Sequence, residues 1–187
     1  MMPDLLRLYL LAGLVAHKAL WEWMKRGRPK TATPRLQTGV VKAVKIAILL
    51  GIVVQTLLPE IFPIADDPRI LRTVGAFVYT LGLAIAVVGR VQLGANWSDI
   101  ETAEVLKKHS VVSQGIYRYI RHPIYVGDLI LLIGLELALN SWLVLGALAL
   151  IPVVLRQAVR EERTLVATLP GYADYCARTK RFIPFVA

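Results

Sequence analysis

Cysteine is nearly missing from this chain. Cys176 is the only one, so no intramolecular disulfide can form. Histidine is almost as scarce: three scattered His and a single Cys make no zinc ligand set, and no metal is expected. Acidic residues are outnumbered, with 13 Asp and Glu against 22 Lys and Arg, for a net charge of +9. Such a balance can suit nucleic acid, but here the cations sit between hydrophobic runs. That pattern fits charges facing a cytoplasmic membrane surface and argues against a nucleic-acid partner. Internal repeats and low-complexity tracts are missing too. A removable signal peptide is not expected, because Met1 to Leu14 lacks a charged n-region followed by a small-residue cleavage site.

What the chain does have is apolar residues, 56% of 187. Soluble domains usually hold about 45–50%, so the excess points to an integral membrane protein of all-α class in a single domain, residues 1–187. A spanning helix needs about 20 mostly apolar residues. Five spans are expected, at about 5–23, 40–58, 70–91, 124–139 and 142–155. The first is interrupted by His17, Lys18 and Glu22, with Trp21 and Trp23 suited to an interface, so an interfacial helix is the alternative there. Pro59 and Pro63 end the second. Gly75, Gly82 and Gly89 recur every seven residues on the third, a stripe suited to close helix packing. The last two are short and form a helical hairpin through Asn140-Ser141.

Loop charges orient the spans. Lys25, Arg26, Arg28, Lys30, Arg35, Lys42 and Lys45 crowd the first loop, whereas Glu60, Asp66 and Asp67 mark the second. Lys107, Lys108 and Arg118 mark the third, and the tail is rich in Arg. These signs place the N-terminus outside and the C-terminus in the cytoplasm.

Two polar segments, 92–125 and 156–187, then share the cytoplasmic side and flank the hairpin. In the first, Pro123 suits the first turn of helix four, with His122 at its mouth and Tyr117, Tyr119 and Tyr125 nearby. In the second, Arg156, Arg160 and Arg163 recur at helical spacing around Glu161 and Glu162, and Gln157 shares a face with Glu161. A solvated basic helix is the bland reading of that run. Pro152 is expected to bend the helix close by. Asp128 lies one turn beyond Tyr125, either functional or paired with an Arg. Glu136 and His17 read as interfacial.

Residues 94–184 resemble the isoprenylcysteine carboxyl methyltransferase family and its bacterial and archaeal relatives. The resemblance rests on Asn96-Trp97-Ser98, His109-Ser110-Val111-Val112, Gly115-Ile116-Tyr117, Arg121-His122-Pro123-Ile124-Tyr125, Glu161-Glu162 with Leu165, Tyr172 and Tyr175, and Arg181-Phe182-Ile183-Pro184. It implies a small helical membrane fold and S-adenosylmethionine as cofactor. It implies that His109, Ser110, Val111 and Val112 line the adenine. Tyr117, His122, Pro123, Ile124, Tyr125 and Glu161 would contact the cofactor. Backbone amides suit an adenine edge, a carboxylate suits ribose hydroxyls or an ammonium, and aromatic rings suit a cationic sulfonium. Family members often carry an Arg four residues before the matching Glu to hold a substrate carboxylate. Gln157 stands there in this chain, which leaves Arg156 or Arg160 for that role.

The expected activity is methyl transfer to a lipophilic or lipidated acceptor, foremost the carboxylate of an isoprenylcysteine-like acid. An ionised carboxylate needs no general base, so positioning and water exclusion carry the rate. An amine or phenol acceptor would need proton removal, with His122 or a Tyr as candidates. The alternatives are a phospholipid amine N-methyltransferase, an NADPH-dependent membrane reductase and a non-enzymatic membrane protein. The missing Gly-x-Gly-x-x-Gly loop does not exclude the reductase.

Overall fold

The computed structural model describes residues 3–25, 39–58, 61–96 and 110–185. Seven α-helices run in order: α1 Asp4–Lys25, α2 Gly39–Leu57, α3 Arg69–Leu93, α4 Pro123–Ala138, α5 Val144–Ala149, α6 Ile151–Thr168 and α7 Tyr172–Arg178. Among the described residues there are only isolated bridges and no strands, as the all-α expectation requires. α3 is the one described helix long and apolar enough to cross a membrane, and α2 carries a shorter apolar stretch, Ile46–Leu57. The first-loop cations from Arg26 to Arg35 lie outside the described residues, as do Glu60, Lys107, Lys108 and His109.

α3 and α4 form the antiparallel centre, and glycine is what brings them together. A Cβ placed on Gly75 would come within 2.2 Å of the Ala138 amide nitrogen, and one on Gly82 within 2.2 Å of the Leu131 nitrogen. From the other side, a Cβ on Gly127 would come within 2.4 Å of the Ala86 nitrogen, and one on Gly134 within 2.1 Å of the Tyr79 nitrogen. The heptad stripe is therefore a backbone-to-backbone seam, as its spacing predicts. Tyr79, Leu131, Leu135, Ala138 and Leu139 form the core along it, joined by Leu10 of α1. α1 docks through its first half. The Tyr79 hydroxyl donates to the Leu10 carbonyl at 2.8 Å, and Gly13 leaves room for the Tyr79 ring. Around this centre many apolar side chains stay exposed, among them Leu5, Ile70, Phe77, Leu145 and Val153. So large an uncovered apolar surface suits lipid.

At the far end Asn140 makes the turn after α4 with a left-handed φ of 56°. Its Oδ1 accepts from the Ile64 and Ala65 amides at 3.2 and 3.0 Å, and its Nδ2 donates to the Ala65 carbonyl at 2.9 Å. Asn tolerates this conformation better than most residues. Replacing it with Ala loses three buried bonds and keeps the awkward φ, so Asn140→Ala should cost about 2–3 kcal/mol. A melting temperature in detergent matching that of the unmodified protein would refute this.

Over 142–155 the helix is interrupted where Pro152 is expected to bend it: α5 stops at Ala149 and α6 begins at Ile151, with Pro152 in its first turn. Proline has no N–H to give and its ring crowds the carbonyl four residues back, that of Leu148, which interrupts the ladder. Glu136 is buried within the protein, and accepts a hydrogen bond from Gln55 of α2 at 2.8 Å. A carboxylate on a helix packed on two sides is better satisfied by a neighbouring amide than left bare.

Candidate active site

The site grows from the start of α4. Pro123 occupies the first turn and His122 the N-cap, as the sequence predicts. Pro123 is fully buried against Gly89 of α3, where an added Cβ would lie 3.2 Å from its ring. The turn Gly115–Arg118 is fixed to the same end of α3. The Tyr117 hydroxyl donates to the Gly89 carbonyl at 3.2 Å, and the Ile116 amide donates to Gln92 Oε1 at 2.8 Å. Gly115 makes this possible: its φ is +59°, and a Cβ there would sit 2.3 Å from Gln92 Oε1.

The C-terminal tail returns to this corner. The Arg121 and His122 amides donate to the carbonyls of Lys180 and Arg181 at 2.8 and 3.2 Å, and the Lys180 amide donates to the Tyr119 carbonyl at 3.1 Å. Phe182 packs its ring on His122 at 5.6 Å, and the Tyr175 hydroxyl donates to the Tyr117 carbonyl at 2.8 Å. Beneath this pairing lies a buried ionic knot centred on Glu162. Its Oε1 receives Arg121 Nε at 2.7 Å and faces His122 Nε2 at 3.0 Å, while its Oε2 receives Arg181 Nη2 at 2.7 Å. Arg121 also donates to the carbonyls of Cys176 and Thr179. Burial by itself would raise the Glu162 carboxyl, but hydrogen bonds from His122, Arg181 and Arg121 outweigh it and hold it well below the usual carboxylate range.

These elements enclose a cavity of about 160 Å³. Ser110, Val111, Val112, Tyr117, His122, Ile124, Tyr125 and Glu161 all line it, so most of the residues singled out as cofactor contacts meet in one place. Pro123 is outside the lining and acts from below, by seating the helix start. Glu161 faces the cavity and accepts from the Tyr125 hydroxyl at 2.9 Å, and the His122 and Tyr125 rings stack at 5.3 Å. Arg156 and Arg160 are both exposed, and neither lines the cavity. Gln157 is partly buried on the face of α6 that carries Glu161.

Burial pushes the Tyr117 and Tyr172 hydroxyls far up, and that of Tyr175 to about 12. This suits the donor roles of the Tyr117 and Tyr175 hydroxyls toward the Gly89 and Tyr117 carbonyls. A carboxylate, several aromatic faces and the backbone of the irregular segment Ser110–Val112, whose Ser110 amide is held by Asn96 Oδ1 at 2.7 Å, form a donor and acceptor set that fits the sulfonium, ribose and adenine of S-adenosylmethionine.

Several lining or supporting residues carry no role in the sequence reading. Glu162 and Arg121 were visible only as letters of a motif. The available signal was that a buried Arg needs an acid, and that successive residues on a helix point about 100° apart, so Glu161 and Glu162 cannot share a job. Asp128 lines the cavity, and its partner is His17 of α1 at 3.0 Å in place of an Arg. His17 thus has a partner on α4, a contact between residues 111 positions apart. Trp21 also reaches the lining, and nothing in the sequence ties it to residues a hundred positions away.

Residues 70–170, more than half of the chain, match the family model described as phospholipid methyltransferase. Among similar proteins, the cobalt-zinc-cadmium resistance protein CzcN of Cupriavidus metallidurans is 34% identical, over 56% of this chain and 46% of its own. The protein-S-isoprenylcysteine O-methyltransferase of Schizosaccharomyces pombe is 31% identical, over 57% of this chain and 46% of its own. The chain thus spans about half the length of the curated relatives it matches. A solved eukaryotic intramembrane Ras methyltransferase, isoprenylcysteine carboxyl methyltransferase, superposes with a TM-score of 0.61 at 20% identity, over 97% of this chain and 68% of that one. That likeness establishes a shared helical, integral membrane fold. The match over residues 70–170 takes in α3, the α4 mouth with its Arg-His-Pro-x-Tyr run and the Glu161-Glu162 pair, and with it the chain belongs to the phospholipid methyltransferase family.

Proposed function

We propose that the protein is an S-adenosylmethionine-dependent methyltransferase that modifies a lipophilic acceptor at the membrane, foremost the carboxylate of an isoprenylcysteine-like acid. The observation that carries this reading is the cavity, which gathers Ser110–Val112, Tyr117, His122, Tyr125 and Glu161 from three separate stretches of chain. The names of two relatives as isoprenylcysteine methyltransferases support the acceptor class. In this reading five spans put both polar segments in the cytoplasm, so the soluble cofactor enters from there and the acceptor arrives sideways from lipid.

The cofactor would supply an electrophilic methyl group for in-line displacement. The residues of the chain do the rest. Glu161, oriented by Tyr125, accepts hydrogen bonds from ribose hydroxyls or an ammonium, and Ser110 to Val112 form the adenine wall, a role that the family resemblance extends to His109, which lies outside the described residues. The rings of Tyr117, His122 and Tyr125 present π-faces to positive charge. Arg156 or Arg160 holds the acceptor carboxylate, which from their exposed positions on α6 requires the acceptor head to approach along that face. A second reading, methyl transfer to a phospholipid amine, draws on the carboxylates of Asp128 and Glu161 in the lining while Arg121 is committed to Glu162.

Calorimetry in detergent tests the cofactor. S-adenosylhomocysteine should bind saturably, and Glu161→Ala should weaken it roughly 10- to 100-fold, the loss of a charged hydrogen bond. Binding of NADPH in its place would overturn the reading. Turnover of a radiolabelled methyl group onto an S-isoprenyl cysteine, compared with phosphatidylethanolamine, separates the two acceptors. Arg156→Ala and Arg160→Ala should impair that turnover more than cofactor binding, and unchanged turnover in both would remove them from the mechanism.

A further inference from the structure

α1 is held at two points of different kinds. Its first half is locked onto α3 by the Tyr79–Leu10 hydrogen bond, the edge-to-face Tyr9 and Tyr79 rings and the close approach at Gly13. Its second half reaches α4 through one polar contact, His17 Nε2 to Asp128 Oδ1 at 3.0 Å. The His17 ring in turn carries the Trp21 ring in a parallel stack, with centroids 3.9 Å apart and planes 25° apart. Trp21 is the only residue α1 contributes to the cavity among the described residues. The order of dependence is thus Asp128 to His17 to Trp21 to cavity wall.

Trp21 is the aromatic wall that α1 supplies, and Leu165 and Leu169 of α6 add apolar lining to the same cavity. The exposed side chains of α1 include Leu5, Leu8, Val15 and Trp23, which suits a helix that meets lipid. In the methyl-transfer reading the acceptor arrives sideways from lipid, and α1 brings an indole to that meeting point. We propose that Trp21, stacked on His17 and held in place by the His17–Asp128 hydrogen bond, is the wall that selects the apolar chain of the acceptor. Trp21 is the specificity residue, His17 is a positioning residue that acts through it, and Asp128, itself in the lining, anchors His17. The inference rests on the methyl-transfer reading. A flat indole discriminates chain length by contact and leaves the head group to the α6 side.

The test uses the full chain in detergent or nanodiscs, with N-acetyl-S-geranyl-, S-farnesyl- and S-geranylgeranyl-cysteine as acceptors. Trp21→Ala should change the ratio of kcat/KM between the shortest and longest acceptor about tenfold or more, the scale at which apolar pockets discriminate by chain size. The change in the ratio should fall on the acceptor KM, since a wall acts through ground-state contact. His17→Ala and Asp128→Ala should each shift the same ratio in the same direction, and the double variant should shift it no further than the larger single one. Trp21→Phe, milder for folding, should give an intermediate ratio. An unchanged ratio in Trp21→Ala or Trp21→Phe with S-adenosylhomocysteine still bound overturns the role of Trp21. Additive effects of His17→Ala and Asp128→Ala overturn the relay. No turnover of any of the three acceptors by the unmodified protein, with S-adenosylhomocysteine bound, overturns both the acceptor class and this wall. No S-adenosylhomocysteine binding at all sinks the methyl-transfer reading itself.

Discussion

Gly82→Ala should unseat α4 from α3 and cost more than about 3 kcal/mol, beyond the roughly 1–3 kcal/mol typical of an overpacked core. The new methyl would lie 2.2 Å from the Leu131 nitrogen and 2.7 Å from the Gly127 carbonyl oxygen. Both are backbone atoms in a helix, so no rotamer change relieves the clash and the helices must separate. Separation carries the α4 mouth away from Gly89, against which Pro123 and the Tyr117 hydroxyl are fitted. The variant should therefore lose S-adenosylhomocysteine binding as well as thermal stability. Gly51→Ala and Gly146→Ala are the controls, because nothing lies within 4 Å of a Cβ at either position. Both should be neutral or slightly stabilising, since Ala is favoured over Gly in a helix by up to about 1 kcal/mol. Melting curves in detergent for the three variants decide it, and equal behaviour would mean that the seam is looser than its distances imply.

Glu162→Ala is expected to be nearly as severe. Breaking a buried ion pair by removing one partner costs roughly 3–5 kcal/mol, because the remaining charge stays buried. Here Arg121 would be left against the Cys176 and Thr179 carbonyls with no acid beside it, and the His122 ring would lose its only side-chain hydrogen-bond partner among those described. The knot fastens the Arg181–Phe182 tail to the start of α4, so its loss should loosen the cavity roof and weaken cofactor binding along with stability. Glu162→Gln keeps the shape and removes the charge, and should fall between the two. The sign of the pH effect follows from the depressed carboxyl. Its contribution is complete above its ordinary value of 4.5 and declines as pH falls below it. The stability gap between the unmodified protein and Glu162→Gln should accordingly narrow in acid. A gap that widens in acid, or a Glu162→Ala protein as stable as the unmodified one, would refute this role.

Particular residues show where the sequence was informative. The seven-residue glycine spacing was enough to expect close packing along α3, because a helix repeats its face every few residues and Gly is the residue that lets backbones meet, but it did not name α4 as the partner. Pro123 could be placed at a helix start, and Pro152 at a helix bend, because a missing N–H has the same consequence wherever the chain goes. Gly115 and the Arg-His-Pro-x-Tyr run pointed to the site through the family resemblance they carry. Arg156 and Arg160 show the opposite case. Helical spacing put them near Glu161 in sequence, but the rotation of α6 that turns Glu161 toward Tyr125 leaves both arginines exposed.

The sequence alone determined the class of this protein, an all-helical membrane chain, basic between its apolar runs, with two polar segments at 92–125 and 156–187; the methyl-donor reading came with the motifs that carry the family resemblance. Those properties are local or periodic, and each follows from residues within a few turns of one another. The tertiary structure decided which acid does what and which wall comes from where. Glu162 holds the tail while Glu161 faces the cavity, Asp128 is held by His17, and Trp21 arrives from the other end of the chain. Contacts between residues so far apart depend on how the helices cross and rotate. That geometry is set by the sum of the packing at Gly75, Gly82, Gly127 and Gly134, and no single stretch of sequence contains it.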